Sequence, residues 1–200
     1  MSSRMHVIYI PGLGDSRVNQ RFNGQRILVN SWRFWGVRPH VFQMNWSDNE
    51  AFAPKLERLL KLIDSLSKQA PVGLVAASAG ASAALNAWAA RPQAIVGVVC
   101  IAGKINNPST IGNSYQQKNP AFWESAQLSA KSLASLSAID RKRLLSIYGM
   151  ADELVPAKDS KVSGAYNRQV KTMGHAIIIA TQLAYGAPRF LRFLKSQQIS

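Results

Sequence analysis

Cysteine, acidic residues and long hydrophobic runs are all scarce in this 200-residue chain. The single cysteine, Cys100, cannot form an internal disulfide, and with three histidines it cannot supply a Cys₄ or Cys₂His₂ zinc cluster. These shortages exclude disulfide-stapled scaffolds and zinc fingers. Near the N-terminus the apolar run 7–10 is too short for a signal-peptide core or a membrane span. We therefore expect a cytoplasmic protein without a transmembrane segment.

Acidic side chains number 10 against 24 Lys and Arg, which gives a formal net charge of +14. Residues 1–100 carry 11 basic and 5 acidic groups and residues 101–200 carry 13 and 5, so the excess is spread along the chain. A diffuse positive field attracts polyanions or anionic lipid without specifying either. We expect no specific nucleic-acid partner, and an effect on solubility is the simpler interpretation. The oligomeric state stays open.

Hydrophobic residues make up 47% of the chain and charged residues 17%. A chain of this length and composition can bury about 70% of its unfolded surface in one core. It contains no internal repeat, low-complexity run or linker. We therefore expect residues 1–200 to form a single domain.

Apolar runs and helical periodicities alternate along the sequence. Strands are predicted at 7–10, 37–46, 72–76, 94–102, 144–148 and 166–170. Helices are predicted at 18–35, after a capping box at Ser47 and Glu50, at 79–90, at 121–136 and from just after His175 to 185. Parallel neighbours need crossover connections, so this alternation predicts an α/β fold: a three-layer α/β/α sandwich with a mostly parallel central sheet. The uninterrupted apolar run 94–102 should lie in the middle of that sheet.

Ser78 lies in the sequence Ala76-Ala77-Ser78-Ala79-Gly80, where a predicted strand turns sharply into a helix. This is the G-x-S-x-G pattern of a nucleophile elbow, with Ala76 in place of the first glycine. Only small residues fit two positions before and after the serine, because the strained turn brings strand and helix close together. The pattern indicates an exposed serine hydroxyl at the end of the strand, although a small-residue turn without catalytic function would look the same.

A serine hydroxyl needs a base and a group that orients the base. His175 follows the last predicted strand, and Asp152 follows the strand before it. Both should lie at the edge of the sheet where the strands end. His6 and His40 are poorer candidates because they lie before or early in a strand. Other nearby acids are Glu153, Asp140 and Asp159.

The order Ser78, Asp152, His175 resembles that of the α/β-hydrolase superfamily, over nearly the whole chain. Gly149-Met150-Ala151-Asp152 and Gly174-His175 match the turns that carry the family's acid and histidine. The resemblance implies Ser78 as nucleophile, Asp152 as acid and His175 as base.

The loop Ile10-Pro11-Gly12-Leu13-Gly14 looks like the family's His-Gly loop, with Pro11 in place of the usual histidine. The resemblance implies that the backbone N–H groups of Leu13 and Ala79 form the oxyanion hole. It also implies a minimal member with a short or absent cap, and the region 104–136 is the expected place for a short lid.

The sequence therefore predicts a serine hydrolase that cleaves a small-molecule carboxylic ester or thioester through an acyl-enzyme. The preference for esters over peptides comes from the resemblance. The mechanism needs no metal or organic cofactor. The alternative is a non-catalytic protein of the same fold that binds a polyanion or a protein partner through its basic surface. A dinucleotide site is disfavoured, because Gly12-Leu13-Gly14 lacks the third glycine of G-x-G-x-x-G.

Overall fold

A computed structural model describes residues 4–14 and 24–198. Within them, six strands form one sheet: β1 (His6–Ile10), β2 (Arg38–Val41), β3 (Val72–Ala77), β4 (Ile95–Ile101), β5 (Leu144–Ala151) and β6 (Tyr166–Met173). The strand order is β2-β1-β3-β4-β5-β6, and each neighbouring pair is parallel. The run that was predicted to be central is β4, which lies between β3 and β5 and is almost entirely buried.

The helices cover both faces of this sheet. They are α1 (Gly24–Ser31), α2 (Phe52–Ser67), α3 (Gly80–Ala90), α4 (Asn113–Lys118), α5 (Pro120–Ser135), α6 (Ala138–Arg141), α7 (Ala157–Ser160), α8 (His175–Thr181) and α9 (Ala187–Ser196). One apolar core joins the sheet to α2, α3 and α5, and a second joins its other face to α1, α8 and α9. The predicted three-layer α/β/α sandwich is therefore confirmed.

Two predicted elements in the first half of the chain have different bounds in the structure. The strand predicted at 37–46 ends at Val41, because the chain then leaves the sheet edge and buries Met44 and Trp46 against the layer of α2 and α5. The helix predicted at 18–35 is α1 followed by a 3₁₀ turn at Trp32–Trp35, and residues 18–23 of that prediction lie outside the described residues.

The capping box predicted at Ser47 and Glu50 does not form. The carboxylate of Glu50 instead binds Arg58 and lies 3.5 Å from the ammonium of Lys55. Helix α2 begins later, at Phe52, whose backbone N–H donates to the carboxylate of Glu124 at 2.8 Å. An acid from α5 thus takes the capping position that the sequence pattern assigned to a local residue.

The polar stretch 104–120, in the region expected to form a short lid, contains regular structure. It includes a 3₁₀ turn at Pro108–Thr110 and the short helix α4. The helix predicted from just after His175 to 185 is α8 followed by a π-helical turn at Gln182–Gly186, and α9 continues from that turn. In the described part of the chain, each helix is too short or too polar to cross a lipid bilayer.

Candidate active site

Ser78 occupies a strained turn at the carboxyl end of β3. Its φ is 51°, in the left-handed region that side chains rarely adopt, and its N–H donates to the carbonyl of Ile101 at 3.0 Å. A Cβ on Gly12 would lie 2.8 Å from the Cβ of Ser78, and a Cβ on Gly80 would lie 2.7 Å from the carbonyl oxygen of Pro11. The two glycines therefore allow the loop after β1 and the start of α3 to approach the serine closely.

Leu13 and Ala79 lie beside this serine in the same cleft. Ala79 precedes the first residue of α3, where backbone N–H groups have no partner within the helix. Within residues 4–14 and 24–198, the backbone N–H groups of Leu13 and Ala79 have no hydrogen-bond acceptor. Two such donors can stabilise an oxygen that becomes negatively charged.

Asp152 and His175 are brought together by β5 and β6, although 23 positions separate them. The carboxylate oxygens of Asp152 lie 2.8 and 3.0 Å from Nδ1 of His175, and both side chains are buried. Oδ1 of Asp152 also accepts from the backbone N–H groups of Leu154 and Val155, at 3.0 and 2.8 Å. This arrangement holds the proton on Nδ1 and leaves Nε2 as a proton acceptor.

The side chain of Glu153 binds the backbone of His175. Its carboxylate oxygens accept from the backbone N–H of His175 at 3.2 and 3.0 Å. The preceding Gly174 has a φ of 83°, which a residue with a side chain rarely adopts. The start of α8 is thus fixed relative to the loop that carries Asp152.

Ser78, Asp152 and His175 all follow the carboxyl ends of parallel strands, β3, β5 and β6, so they share one edge of the sheet. In the described structure, the hydroxyl of Ser78 makes no hydrogen bond to the ring of His175. Catalytic hydrogen bonds of ligand-free enzymes often tighten only when substrate binds. The structure therefore joins the acid to the histidine directly and places the serine at the same edge.

A cleft of about 340 Å³ opens over Ser78. The loop after β5 supplies one side through Leu154 and Val155, and the segment 104–136 supplies another through Ile111 and Phe122. Its size suits a small molecule, since ligand pockets start at about 300 Å³. The described residues contain no group of three or more His, Cys, Asp or Glu side chains that could hold a metal ion.

Two further polar residues of this cleft, Lys104 and Asp159, were not predicted as site residues. The ammonium of Lys104 donates to the carboxylate of Asp159 at 2.6 Å, and both side chains are buried. Lys104 follows β4 at the same sheet edge, so the positional argument that selected Asp152 could have found it. Asp159 was considered only as an alternative acid, and its partner is 55 positions away.

No protein-family model matches the chain, and no curated protein matches it. Solved structures do match it. One of the metagenome-derived lipolytic enzymes LipS and LipT superposes with a TM-score of 0.68 at 12% identity, covering 98% of this chain and 95% of that chain. A monoacylglycerol lipase from Paleococcus ferrophilus gives 0.63 at 15% identity and covers 98% and 96%. MGS-MChE2, an alpha/beta hydrolase enzyme from a sediment metagenome of the Mar Chica lagoon in Morocco, gives 0.58 at 16% identity and covers 98% and 90%.

The chain therefore has the α/β-hydrolase fold. The resemblance to the α/β-hydrolase superfamily that the sequence motifs indicated is confirmed at the level of the fold.

Proposed function

We propose that this protein is a serine hydrolase that cleaves a small-molecule carboxylic ester or thioester with the triad Ser78, His175 and Asp152. One observation carries the proposal. The carboxylate of Asp152 binds Nδ1 of His175 at 2.8 Å, at the sheet edge where Ser78 lies in a strained turn. The α/β-hydrolase fold of this chain is shared with lipases and esterases among the matching structures, which adds support to the proposal.

In the first half of the reaction, Oγ of Ser78 attacks the carbonyl carbon of the substrate while Nε2 of His175 takes the hydroxyl proton. The imidazolium that forms is stabilised by Asp152. The carbonyl oxygen becomes negative and accepts hydrogen bonds from the N–H groups of Leu13 and Ala79. The bond to the alcohol or thiol then breaks, and the leaving group takes the proton from His175.

Water completes the second half. His175 takes a proton from the water as its oxygen attacks the acyl carbon bound to Ser78, and the same two N–H groups stabilise the second oxyanion. Collapse of this intermediate releases the carboxylic acid and returns the proton to Oγ of Ser78. The proposed steps use only residues of this chain and water.

The segment 104–136 lines one side of the cleft, which supports a role as a short lid.

The thiol of Cys100 is buried and unpaired, so the fold does not depend on an oxidising compartment, which agrees with a cytoplasmic location. Burial raises the pKa of this thiol to about 12, which disfavours Cys100 as a competing nucleophile.

Covalent labelling with a fluorophosphonate tests the nucleophile. We expect the wild type and Ser163→Ala to be labelled and to hydrolyse a short-chain nitrophenyl ester, and Ser78→Ala to do neither. Ser163 is a matched control because it is exposed and lies outside the cleft. Equal labelling of wild type and Ser78→Ala would refute the assignment of Ser78.

A further inference from the structure

Lys104 is a buried cation with one unused donor in the cleft. Its side chain is 9% exposed. Its backbone N–H donates to the carbonyl of Ser78 at 3.3 Å, so the backbone of Lys104 lies directly beside that of the serine. Its ammonium donates to Asp159 at 2.6 Å and to the hydroxyl of Thr110 at 2.5 Å. An ammonium has three N–H donors, and among the described residues the third has no acceptor.

The nearby acceptors already have partners. The second carboxylate oxygen of Asp159 accepts from Asn107 at 2.6 Å, and Thr110 gives its own hydroxyl proton to the carbonyl of Asn107 at 2.9 Å. Burial acts to raise the pKa of Asp159, but hydrogen bonds from Asn107 and Lys104 and the charge of Lys104 hold that pKa below its usual value. Glu153 uses both oxygens on the N–H of His175.

Lys158, next in the chain to Asp159, adds a second cation to the lining of the cleft. It is exposed, lines the cleft and, in the described part of the chain, forms no ion pair. The cations of the cleft lining are therefore Lys104, which has one N–H without an acceptor among the described residues, and Lys158, while Glu153 and Asp159 carry the negative charges there. The net charge of +14 would also raise the local concentration of anions around the protein.

From this arrangement we propose that the substrate carries an anionic oxygen group, a carboxylate or a phosphate, that binds Lys104 and Lys158 at the end of a short apolar chain. Ile111, Phe122 and Val155 supply apolar cleft wall for that chain. A charge-assisted hydrogen bond from a buried ammonium is stronger than one between neutral groups. This inference rests on the proposed hydrolase function and specifies its substrate.

Three nitrophenyl esters of similar acyl length test the inference: the neutral valerate, the hemiglutarate with a terminal carboxylate, and the matching ester with a terminal phosphonate. We expect wild-type kcat/KM to be at least about tenfold higher for one of the two anionic esters than for the valerate. The faster anionic ester identifies whether the group is a carboxylate or a phosphate. The preference should fall with added salt, because the exposed Lys158 is screened.

Variants distinguish the effect of the cleft lysines on kcat/KM from the effect of the overall charge. Lys158→Gln should lower the ratio of kcat/KM for the preferred anionic ester to kcat/KM for the valerate by about five- to tenfold. Lys131→Gln removes the same charge from an exposed position outside the cleft and should change neither value. Lys104→Gln should abolish the preference, and thermal unfolding will report whether this buried change also destabilises the fold.

The outcomes distinguish this inference from the function on which it rests. Labelling of Ser78 without faster turnover of either anionic ester overturns the inference and leaves the hydrolase proposal standing. Equal effects of Lys158→Gln and Lys131→Gln also overturn it, because the charge would then act through the whole surface. Loss of both labelling and turnover in the wild type overturns the proposed function and this inference together.

Discussion

At the scale of single residues, the serine turn combines a strained backbone with close packing. A positive φ at a residue with a side chain costs about 1–3 kcal/mol, and the surrounding structure must supply that energy. Ser78 has such a φ, 51°. Gly12 and Gly80 allow the neighbouring backbone to approach Ser78 closely. The packing around the hydroxyl therefore determines which residues the turn tolerates.

Gly80→Ala tests that packing without any assumption about function. The new Cβ would lie 2.7 Å from the carbonyl oxygen of Pro11 and closer still to that of Ile10, and backbone cannot move aside cheaply. We expect the free energy of unfolding to fall by about 3 kcal/mol, at the upper end of overpacking effects. Chemical denaturation measures this change in the free energy of unfolding.

Gly24→Ala is the matched control, because no atom of residues 4–14 or 24–198 lies within 4 Å of its Cβ position. It should leave the stability unchanged or slightly raised, since alanine favours helix α1. Equal stability of Gly80→Ala and wild type would contradict the close approach of the loop after β1 to α3.

Asp152→Asn tests the role of the acid. An amide still accepts from the N–H groups of Leu154 and Val155, but it no longer holds the proton on Nδ1 of His175 or stabilises the imidazolium. We expect kcat to fall by about 10³- to 10⁴-fold with little change in KM. Glu57→Gln changes an exposed carboxylate elsewhere and should retain full activity. A kcat for Asp152→Asn within tenfold of wild type would contradict the assignment.

At the scale of elements, the strand order brings distant segments to one edge. Parallel strands end at the same side of the sheet, so the turns after β3, β5 and β6 meet there although β4 lies between β3 and β5. Two histidines on the neighbouring strands β1 and β2 are also in contact. Nδ1 of His6 on β1 lies 2.8 Å from Nε2 of His40 on β2, so one ring donates and the other accepts.

This histidine pair predicts a pH dependence of stability. Burial, the neighbouring His40 and Arg38 lower the pKa of His6 below 6.5, and burial and Arg38 lower that of His40. As the pH falls through 6.5, these histidines bind protons in the unfolded chain but remain neutral in the folded chain, because their folded pKa values are lower. The free energy of unfolding should therefore decrease. Well above 6.5 the histidines are neutral in both the folded and the unfolded chain, so the contribution of the pair is constant.

Urea unfolding at pH 7.5 and pH 5.5 measures the effect. His40→Asn removes one of the two rings, so its stability should depend less on pH than that of the wild type. His175 is unchanged in both proteins, which separates the pair from the candidate active site. Parallel pH profiles for the two proteins would rule out the pair as the source of the dependence.

At the scale of the whole molecule, the charge of +14 is the largest departure from an ordinary soluble domain. Basic residues are distributed over both halves of the chain, and many of the acids pair with them, as Asp64 does with Arg91 and Glu57 with Lys61. Such a field acts at long range and is screened by salt.

We therefore expect weak retention on immobilised double-stranded DNA at low ionic strength and none at about 0.15–0.3 M salt. Retention should be equal for wild type and Ser78→Ala, because it does not involve the cleft. Tight binding that persists at high salt would instead favour the alternative function, a polyanion-binding protein with this fold.

Local patterns predicted most of the elements. The helices and strands follow periodicities of the sequence, and the small residues around Ser78 indicated a turn whose strain the structure displays. The predicted capping box was wrong because contacts beyond its four residues decided the local structure. Ser47 and Glu50 have the spacing of a capping box, but Arg58 and Lys55 bind Glu50, and Glu124 caps α2 from 72 positions away.

The sequence by itself determined the alternation of strand and helix, the residues that follow each strand, and the order of the serine, the acid and the histidine. These properties depend on neighbours within a few positions. Only the tertiary structure decided that Asp152 binds Nδ1 of His175, that Glu153 holds the backbone of that histidine, and that Lys104 pairs with Asp159 in the lining of the cleft. Hydrogen bonds depend on distance in space, and folding brings together side chains that the sequence separates by tens of positions.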